Sequence, residues 1–201
     1  MRKIFLLFIS LIWLFPLFSG IEESLGKSEQ WVLLKYRMDA QNKPMDISVL
    51  KSSSPEVMKF VGEYVSKHNS IPDLGLNSVE FKGFSAEGET YHWIINYPDG
   101  FLPFTKEGVL SFEPLEVSEA KGPYFVFLRV ETDEQGFIKN TDFVFIQEEL
   151  KEIQDTLKSL IEENLRIAWN VPKHAVFFVS FEVNSGTVKM PGWLAYIKEG
   201  K

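Results

Sequence analysis

The side chains best suited to chemistry are few and widely spaced in this sequence. His68, His92 and His174 are too far apart for metal-ligand spacing, and each lies beside a predicted element end, where a solvated or capping His is common. The chain has no Cys, which excludes disulfides, thiolate metal sites and a Cys nucleophile. Glu87 and Glu89 share one polar turn, a pattern typical of hydrated charge. No catalytic residue, cofactor or metal is therefore predicted.

Two aspartates, Asp39 and Asp133, stand at the same place in two similar stretches of the chain. Such a repeat could indicate a ligand, but turn formation explains both residues more simply, because Asp accepts hydrogen bonds from the backbone that follows it. Alternating apolar and polar residues, typical of half-buried strands, flank each turn. The predicted strands are residues 32–37 and 45–50 in the first half, and residues 126–131 and 139–146 in the second.

A helix pattern follows each predicted hairpin. Ser53 and Glu56 have capping-box spacing, with Pro55 near the first turn. The second helix is predicted to begin near Glu148. Each helix carries one apolar stripe with helical spacing. The stripes are Val57, Phe60, Val61, Tyr64 and Val65 in the first half, and Leu157, Leu160, Ile161 and Leu165 in the second.

The two halves continue in register beyond the helices. The offset between matched residues grows from 94 in the hairpins to 100 in the helices, and it then stays constant. Pro172, in AWNVP, is predicted to end the second helix, because Pro removes a backbone donor and favours extended geometry before it. Because the matched residues occur in the same order in both halves, the sequence predicts an internal repeat of one structural unit. Matched residues after the helices are Ile71 with Val171, Pro72 with Pro172, Val79 with Val179, Phe81 with Phe181, and Trp93 with Trp193.

The first twenty residues are typical of a secretory signal. Arg2 and Lys3 precede an apolar run of 15 residues, which is shorter than the ~20 residues that a membrane-spanning helix needs. An uncleaved short anchor is the alternative. Without this segment the net charge of −7 becomes −9, which disfavours a nucleic-acid surface. An exported chain without Cys suits a bacterial periplasm, and the alternative location is the inner membrane.

Several segments resemble the C-terminal domain of TonB and related periplasmic proteins. In the second half these are FLRVETDEQGFIKNTDFVFI, LIEENLRIAWNVP and HAVFFVSFEVNSGTVK. In the first half they are YRMDAQNKPMDISVLKSSSPE and FKGFSAEGETYHWIINYP. The resemblance covers most of residues 31–98 and 124–197. Unlike a TonB energy transducer, the chain has neither a Pro-rich spacer nor an anchor of full membrane length.

The resemblance implies an α+β fold of two tandem units, each a small antiparallel sheet packed on one main helix. We expect the units at residues 21–98 and 124–201, after a signal peptide at residues 1–20. The connecting segment, residues 99–123, carries enough apolar residues to predict packing between the units, and a flexible tether is the alternative. Trp31, Trp93, Trp169 and Trp193 are predicted core residues, with a recognition surface as the alternative.

The function implied by the resemblance is non-catalytic binding of an envelope protein or peptide, in which a partner strand pairs with an exposed sheet edge. The predicted edge is residues 175–183, whose apolar run would aggregate if it were left bare. The alternative is an envelope enzyme or ligand carrier that uses Glu87, His92 and His174 in a cleft between the units. The predicted partner-binding residues are Val176, Phe177, Phe178, Val179, Ser180, Phe181 and Val183.

Overall fold

The computed structural model describes residues 29–74, 78–85, 87–97, 109–117, 121–168 and 174–197. These residues are mostly β, with 53% in strands and 21% in helices. The prediction of an α+β fold, with two units that each rest on one main helix, is therefore wrong. The reason is physical: most of the described residues pair in strands, the two large sheets pack on each other through a shared core, and the two helices are short. The predicted signal peptide, Trp169 and Pro172 lie outside the described residues. The second helix already ends at Asn164, so the prediction that Pro172 ends it is wrong.

The described residues contain eleven strands, two α-helices and one 3-10 helix. In the first half they are β1 (Gln30–Met38), β2 (Pro44–Ser52), α1 (Pro55–His68), β3 (Ser78–Phe84) and β4 (Glu89–Asn96). Two short strands follow, β5 (Leu110–Ser111) and β6 (Leu115–Glu116). In the second half they are β7 (Tyr124–Thr132), β8 (Ile138–Ile146), a 3-10 helix (Glu148–Ile153), α2 (Gln154–Asn164), β9 (Arg166–Ile167), β10 (Ala175–Asn184) and β11 (Thr187–Ile197).

The strands form three antiparallel sheets. Sheet 1 has the order β2-β1-β4-β3, and sheet 2 has the order β6-β11-β10-β7-β8. The third sheet is a two-residue pairing of β5 with β9. Because neighbouring side chains of a strand point to opposite faces, each larger sheet presents one apolar set to the other sheet and another to a helix.

Sheets 1 and 2 pack face to face through an aromatic core. Trp93 of β4 is fully buried, and its ring centroid lies 5.2 Å from that of Phe127 and 5.3 Å from that of Phe178. The close approach requires small residues: a Cβ on Gly83 would overlap the ring of Phe125. The two sheets therefore interlock at this face, and large rings of one fit beside the glycines of the other.

A helix covers the other face of each sheet. On sheet 1, Val57 and Val61 of α1 are buried against Val32, Leu34 and Ile94. The N-cap of α1 is Ser54, whose side chain accepts a hydrogen bond from the Val57 N–H, so the predicted cap at Ser53 is wrong by one residue. On sheet 2, the buried residues Leu157 and Ile161 of α2 pack on a larger core. Their partners there include Val126, Leu128, Phe177, Val179, Phe181 and Val183.

The described part of the connecting segment packs on sheet 2, on the same side as α2. Val109, Leu110 and Val117 are buried in that core, and Phe112 lies with its ring centroid 4.9 Å from that of Phe181. The prediction that this segment packs between the two units is wrong for these residues. The space between the sheets is already filled by the aromatic core, so the segment's apolar side chains find their cover on the outer face.

The two hairpin turns have the same hydrogen bonds. Asp39 Oδ1 accepts the N–H groups of Gln41 and Lys43, each at 2.8 Å. Asp133 Oδ1 likewise accepts those of Gln135 and Phe137, each at 2.9 Å. Turn formation therefore accounts for both aspartates, and both predicted hairpins are confirmed.

The last two strands of each half occupy different places in their sheets. In sheet 1 the strand beside β1 is β4, so β3 lies at the edge. In sheet 2 the strand beside β7 is β10, so β11 lies further out. Trp93 and Trp193, matched in sequence, consequently face different cores: Trp93 lies between the sheets, and the half-buried Trp193 lies on the helix side of sheet 2. The prediction that Trp93 is a core residue is confirmed.

Candidate functional site

The run predicted as an exposed edge, residues 175–183, is instead the centre of sheet 2. β10 pairs with β7 on one side and with β11 on the other, so that prediction is wrong. The physical reason is that both edges of β10 are already hydrogen-bonded to neighbouring strands, which leaves no edge for a partner strand. Burial on both faces explains its nearly continuous apolar run. The buried residues are Val176, Phe177, Phe178, Val179, Ser180, Phe181 and Val183.

The edges of the two larger sheets differ in how they discourage further pairing. β2 begins at Pro44 and has two register shifts, and the pairing of β8 with β7 also shifts twice. β11 contains Pro191 and is partly covered by β6. Such prolines and bulges are the usual protection of edge strands. β3 has neither, and its seven residues pair with β4 in one unbroken register.

The backbone of β3 presents hydrogen-bonding groups away from its sheet. The Ser85 N–H donates to the Glu89 carbonyl at 2.8 Å, in line with the β3-β4 register. Because antiparallel pairing alternates, Phe81 and Gly83 direct their backbone groups at β4, and residues 80, 82 and 84 direct theirs outward. We call this outer side of residues 80–84 the β3 edge. No other strand of the described residues pairs with it.

Side chains on the two faces of the β3 edge differ in character. Glu80, Lys82 and Phe84 lie on the face of sheet 1 that α1 also covers, and Phe84 is 61% exposed. Val79 and Phe81 lie on the opposite face and pack on the core between the sheets. A strand added at this edge would therefore meet charge and an exposed ring on one face and apolar residues on the other.

A polar cluster adjoins the β3 edge, formed by Tyr36, His92, Glu80 and Lys82. The Tyr36 hydroxyl lies 3.3 Å from His92 Nδ1, and Nε2 of the same ring lies 3.1 Å from Glu80 Oε2. Lys82 Nζ lies 3.0 Å from the same carboxylate oxygen. The Nε2 contact lacks the geometry of a regular hydrogen bond, so it is an electrostatic contact. Tyr36 and His92 are buried, and Glu80 and Lys82 are exposed.

Burial sets the protonation of this cluster. It lowers the pKa of His92 to about 4, against the opposing attraction of Glu80, and the charge of Lys82 adds to the lowering. Burial, followed by the negative charge of Glu80, raises the pKa of Tyr36. Partial burial would raise the pKa of Glu80, but Lys82 and His92 outweigh it and lower that pKa. At neutral pH the cluster is a neutral His and Tyr beside a Glu–Lys ion pair.

The prediction that every His lies beside an element end is wrong for His92, which is inside β4 and 1% exposed. It is confirmed for His68, the exposed last residue of α1, and for His174, which immediately precedes β10. Glu87, His92 and His174 do not form one site. His92 contacts Tyr36 and Glu80 on the outer face of sheet 1, whereas the His174 N–H donates to a carbonyl of the β7-β8 turn.

The two carboxylates of the β3-β4 turn also differ. Glu87 is exposed, as expected for hydrated charge. Glu89 is the first residue of β4 and lies 3.2 Å from Lys35 Nζ and 3.8 Å from an Arg37 nitrogen. The prediction of two hydrated carboxylates in one turn is therefore wrong for Glu89, because cross-strand pairing places it opposite Arg37.

A second charged cluster surrounds Arg129 on the intersheet face of β7. Arg129 pairs with Glu29 and, at 2.6 Å, with Glu131, and Asp142 lies 3.7 Å away. Burial alone would lower the pKa of Arg129, but the two glutamates outweigh it and raise that pKa. Because Glu29 immediately precedes β1, this cluster ties the start of sheet 1 to sheet 2.

The described residues hold no group of three or more His, Asp or Glu side chains that could bind a metal ion. None of their helices combines the length and hydrophobicity that crossing a bilayer requires. In comparisons with known proteins, no protein-family model, no curated protein and no solved structure matches the chain. The chemical character of the β3 edge and its polar cluster is therefore inferred from their geometry alone.

Proposed function

We propose that the protein is a non-catalytic binding module of the cell envelope that pairs the β3 edge with an extended segment of another polypeptide. The observation that carries the proposal is the regular, unbulged edge of β3, whose outward N–H and C=O groups have no strand partner among the described residues. Main-chain hydrogen bonds to such an edge supply affinity, and the flanking side chains supply specificity.

The polar cluster supports binding over catalysis. A catalytic His must reach a substrate, but the His92 ring is buried between Tyr36 and Glu80 and, with its pKa lowered to about 4, stays neutral at pH 7. The Tyr36 hydroxyl has a raised pKa, which makes it a poorer nucleophile at neutral pH. The space between the two sheets, where an enzyme cleft was the alternative, is filled around Trp93 by aromatic rings. The cluster is therefore suited to holding β3 rigidly against β4.

Sequence features outside the described residues support export to the envelope. Arg2 and Lys3 precede a short apolar run, and the chain has no Cys. The similarity of the hairpin and helix segments to TonB C-terminal domains agrees with partner binding by strand addition. From the resemblance to TonB C-terminal domains this proposal takes only strand addition as the mode of binding, and not energy transduction.

The test uses a fluorescein-labelled peptide of alternating Thr and Val residues and a second peptide with every amide N-methylated. Fluorescence anisotropy with the full-length protein should show binding of the first peptide alone, because N-methylation removes the donors. Lys82→Pro removes one outward N–H without taking a hydrogen bond from β4, so it should weaken binding. The matched variant Lys82→Ala also loses the charged side chain but keeps the outward N–H, so it should still bind. Equal binding of both peptides, or no binding of either, would contradict the proposal.

A further inference from the structure

The β3 edge is complementary to a copy of itself. It presents the sequence Glu80-Phe81-Lys82, in which opposite charges flank an aromatic residue on the two sides of the strand's midpoint. We propose that a second copy of this chain is a partner of the β3 edge, so that two β3 strands pair antiparallel about a two-fold axis at Phe81. This inference rests on the proposed strand addition and names its partner.

The hydrogen-bonding phase of the strand permits this pairing. Residues 80 and 82 both direct their backbone groups outward, as the register with β4 requires. In an antiparallel pair centred on Phe81, Glu80 lies opposite Lys82 of the second copy, and Lys82 lies opposite its Glu80. Both are hydrogen-bonded positions, which gives about four main-chain hydrogen bonds at the centre. Because Phe81 is the middle residue of the seven-residue strand, the two strands overlap along their whole length.

Pairs centred on Glu80 or on Lys82 would also place the outward backbone groups of the two strands opposite each other. The charges favour the pair centred on Phe81 over these two. A pair centred on Glu80 would set that carboxylate against itself, and a pair centred on Lys82 would set two ammonium groups together. Directly opposed like charges destabilise a sheet, whereas opposite charges stabilise it. Glu80 and Lys82 are 46% and 43% exposed, so both are available to a second copy. Within each copy they already lie 3.0 Å apart, and pairing would join them into a square of four charges of alternating sign.

The apolar face of the strand is compatible with the same register. At the centre, Phe81 lies opposite Phe81 of the second copy in a non-hydrogen-bonded pair, where side chains approach most closely. Val79 lies opposite Gly83, which has no side chain to obstruct it. The Phe125 ring fills the space beside Gly83. The incoming Val79 would therefore meet an apolar surface, and the aromatic core would continue from one copy to the next.

The proposed dimer has a functional consequence, since a second copy and a peptide would compete for one edge. A single edge-to-edge contact is smaller than a standard stable interface, so the dimer should be reversible. Self-pairing would cover the edge when no partner is present, which also limits open-ended aggregation.

The test exchanges the two charges in the full-length protein. Glu80→Lys alone and Lys82→Glu alone each place like charges opposite one another in a homodimer, and each should raise the dimer dissociation constant roughly tenfold or more. Mixing the two variants restores opposite charges at both positions, so the mixture should form heterodimers. The double variant, Glu80→Lys with Lys82→Glu, should form homodimers again. Circular dichroism melts check that each variant is folded.

Energy transfer between donor-labelled and acceptor-labelled copies measures the dissociation constants. The chain has no Cys, so a Cys placed at the exposed Lys67 carries the label. Single variants that dimerise as tightly as the original protein, or a mixture that remains monomeric, would overturn the self-pairing. A monomeric original protein would overturn it too. The peptide assay, run at a concentration where the protein is monomeric so that self-pairing does not cover the edge, decides the proposed function separately. A monomer that binds the peptide leaves strand addition intact even if no dimer forms, and a monomer that does not bind the peptide refutes capture of other partners.

Discussion

Acid should destabilise the protein through His92, and the variant His92→Gln should remove this effect. The His92 ring is buried inside β4, and burial lowers its pKa from the ordinary value of 6.5 to about 4. The unfolded chain therefore takes up this proton first as the pH falls. The stabilisation is complete above about pH 6.5 and is lost progressively as the pH falls towards 4. Gln keeps a polar side chain at this position but does not titrate.

The size of the effect follows from the difference between the pKa of His92 in the unfolded chain and its pKa in the folded protein. A tenfold change in proton affinity corresponds to about 1.36 kcal/mol. The contribution of His92 to the free energy of unfolding should therefore fall by about 2 kcal/mol at pH 5 and by about 3 kcal/mol at pH 4. The neighbouring charges, Glu80 and Lys82, remain in the variant. Subtracting the two pH profiles isolates the His92 contribution, together with any change that the substitution makes to its coupling with Glu80.

Urea denaturation of both proteins at pH 8, 7.5, 7, 6, 5 and 4 provides the measurement. The original protein should lose stability more steeply than His92→Gln, and the two curves should run parallel above pH 7. Parallel curves across the whole range would refute the reasoning, and so would a gain in stability of the original protein on acidification. Either result would mean that the ring is solvated or that Glu80 stabilises its charged form.

Two further predictions test the packing of the sheets. Gly83→Ala should destabilise the protein by about 1–3 kcal/mol, because the new methyl group overlaps an aromatic ring of sheet 2. Its control, Gly62→Ala in α1, meets no atom within 4 Å and should stabilise the helix by about 0.5–1 kcal/mol. Trp93→Ala should cost about 3–5 kcal/mol, whereas Trp193→Ala should cost roughly half as much, because Trp193 is only half-buried. Urea denaturation measures all four. A neutral Gly83→Ala, or equal costs for the two Trp variants, would contradict the described packing.

Local elements could be predicted from the sequence because their signals are local. The side chain of Asp39 caps its own turn, as that of Asp133 does, so the turn chemistry is present in five consecutive residues. The spacing of Val57 and Val61 likewise fixes the buried face of α1, and the predicted cap at Ser53 places its start to within one residue. Strand alternation and helix capping need no knowledge of distant residues.

The order of strands in the sheets could not be predicted in the same way. β3 and β10 match in sequence position, yet β3 is an edge strand and β10 is central. Periodicity indicates which face of a strand is buried, but it does not identify the neighbouring strand. The sequence does contain one signal of the central position of β10: a nearly continuous apolar run is typical of a strand buried on both faces. The charged Glu80 and Lys82 of β3 are typical of an edge strand.

The polar cluster was missed for a related reason. His92 lies between aromatic and β-branched residues of β4, and the sequence contains no sign of its partners because Tyr36 and Glu80 belong to other strands. Only the sheet order brings the three side chains together. An ionisable residue inside a strongly apolar strand was the available signal that a buried polar contact would be needed.

Residue-resolved amide hydrogen exchange of the full-length protein, at a concentration where it is monomeric, tests the central claim most directly. The amides of Phe81 and Gly83 should be protected by β4, and those of Glu80 and Lys82 should exchange rapidly. Addition of the alternating Thr-Val peptide should then slow exchange at Glu80 and Lys82. Protection of these two amides in the monomer without peptide, or exchange that the peptide leaves unchanged, would contradict the claim that β3 is the binding edge.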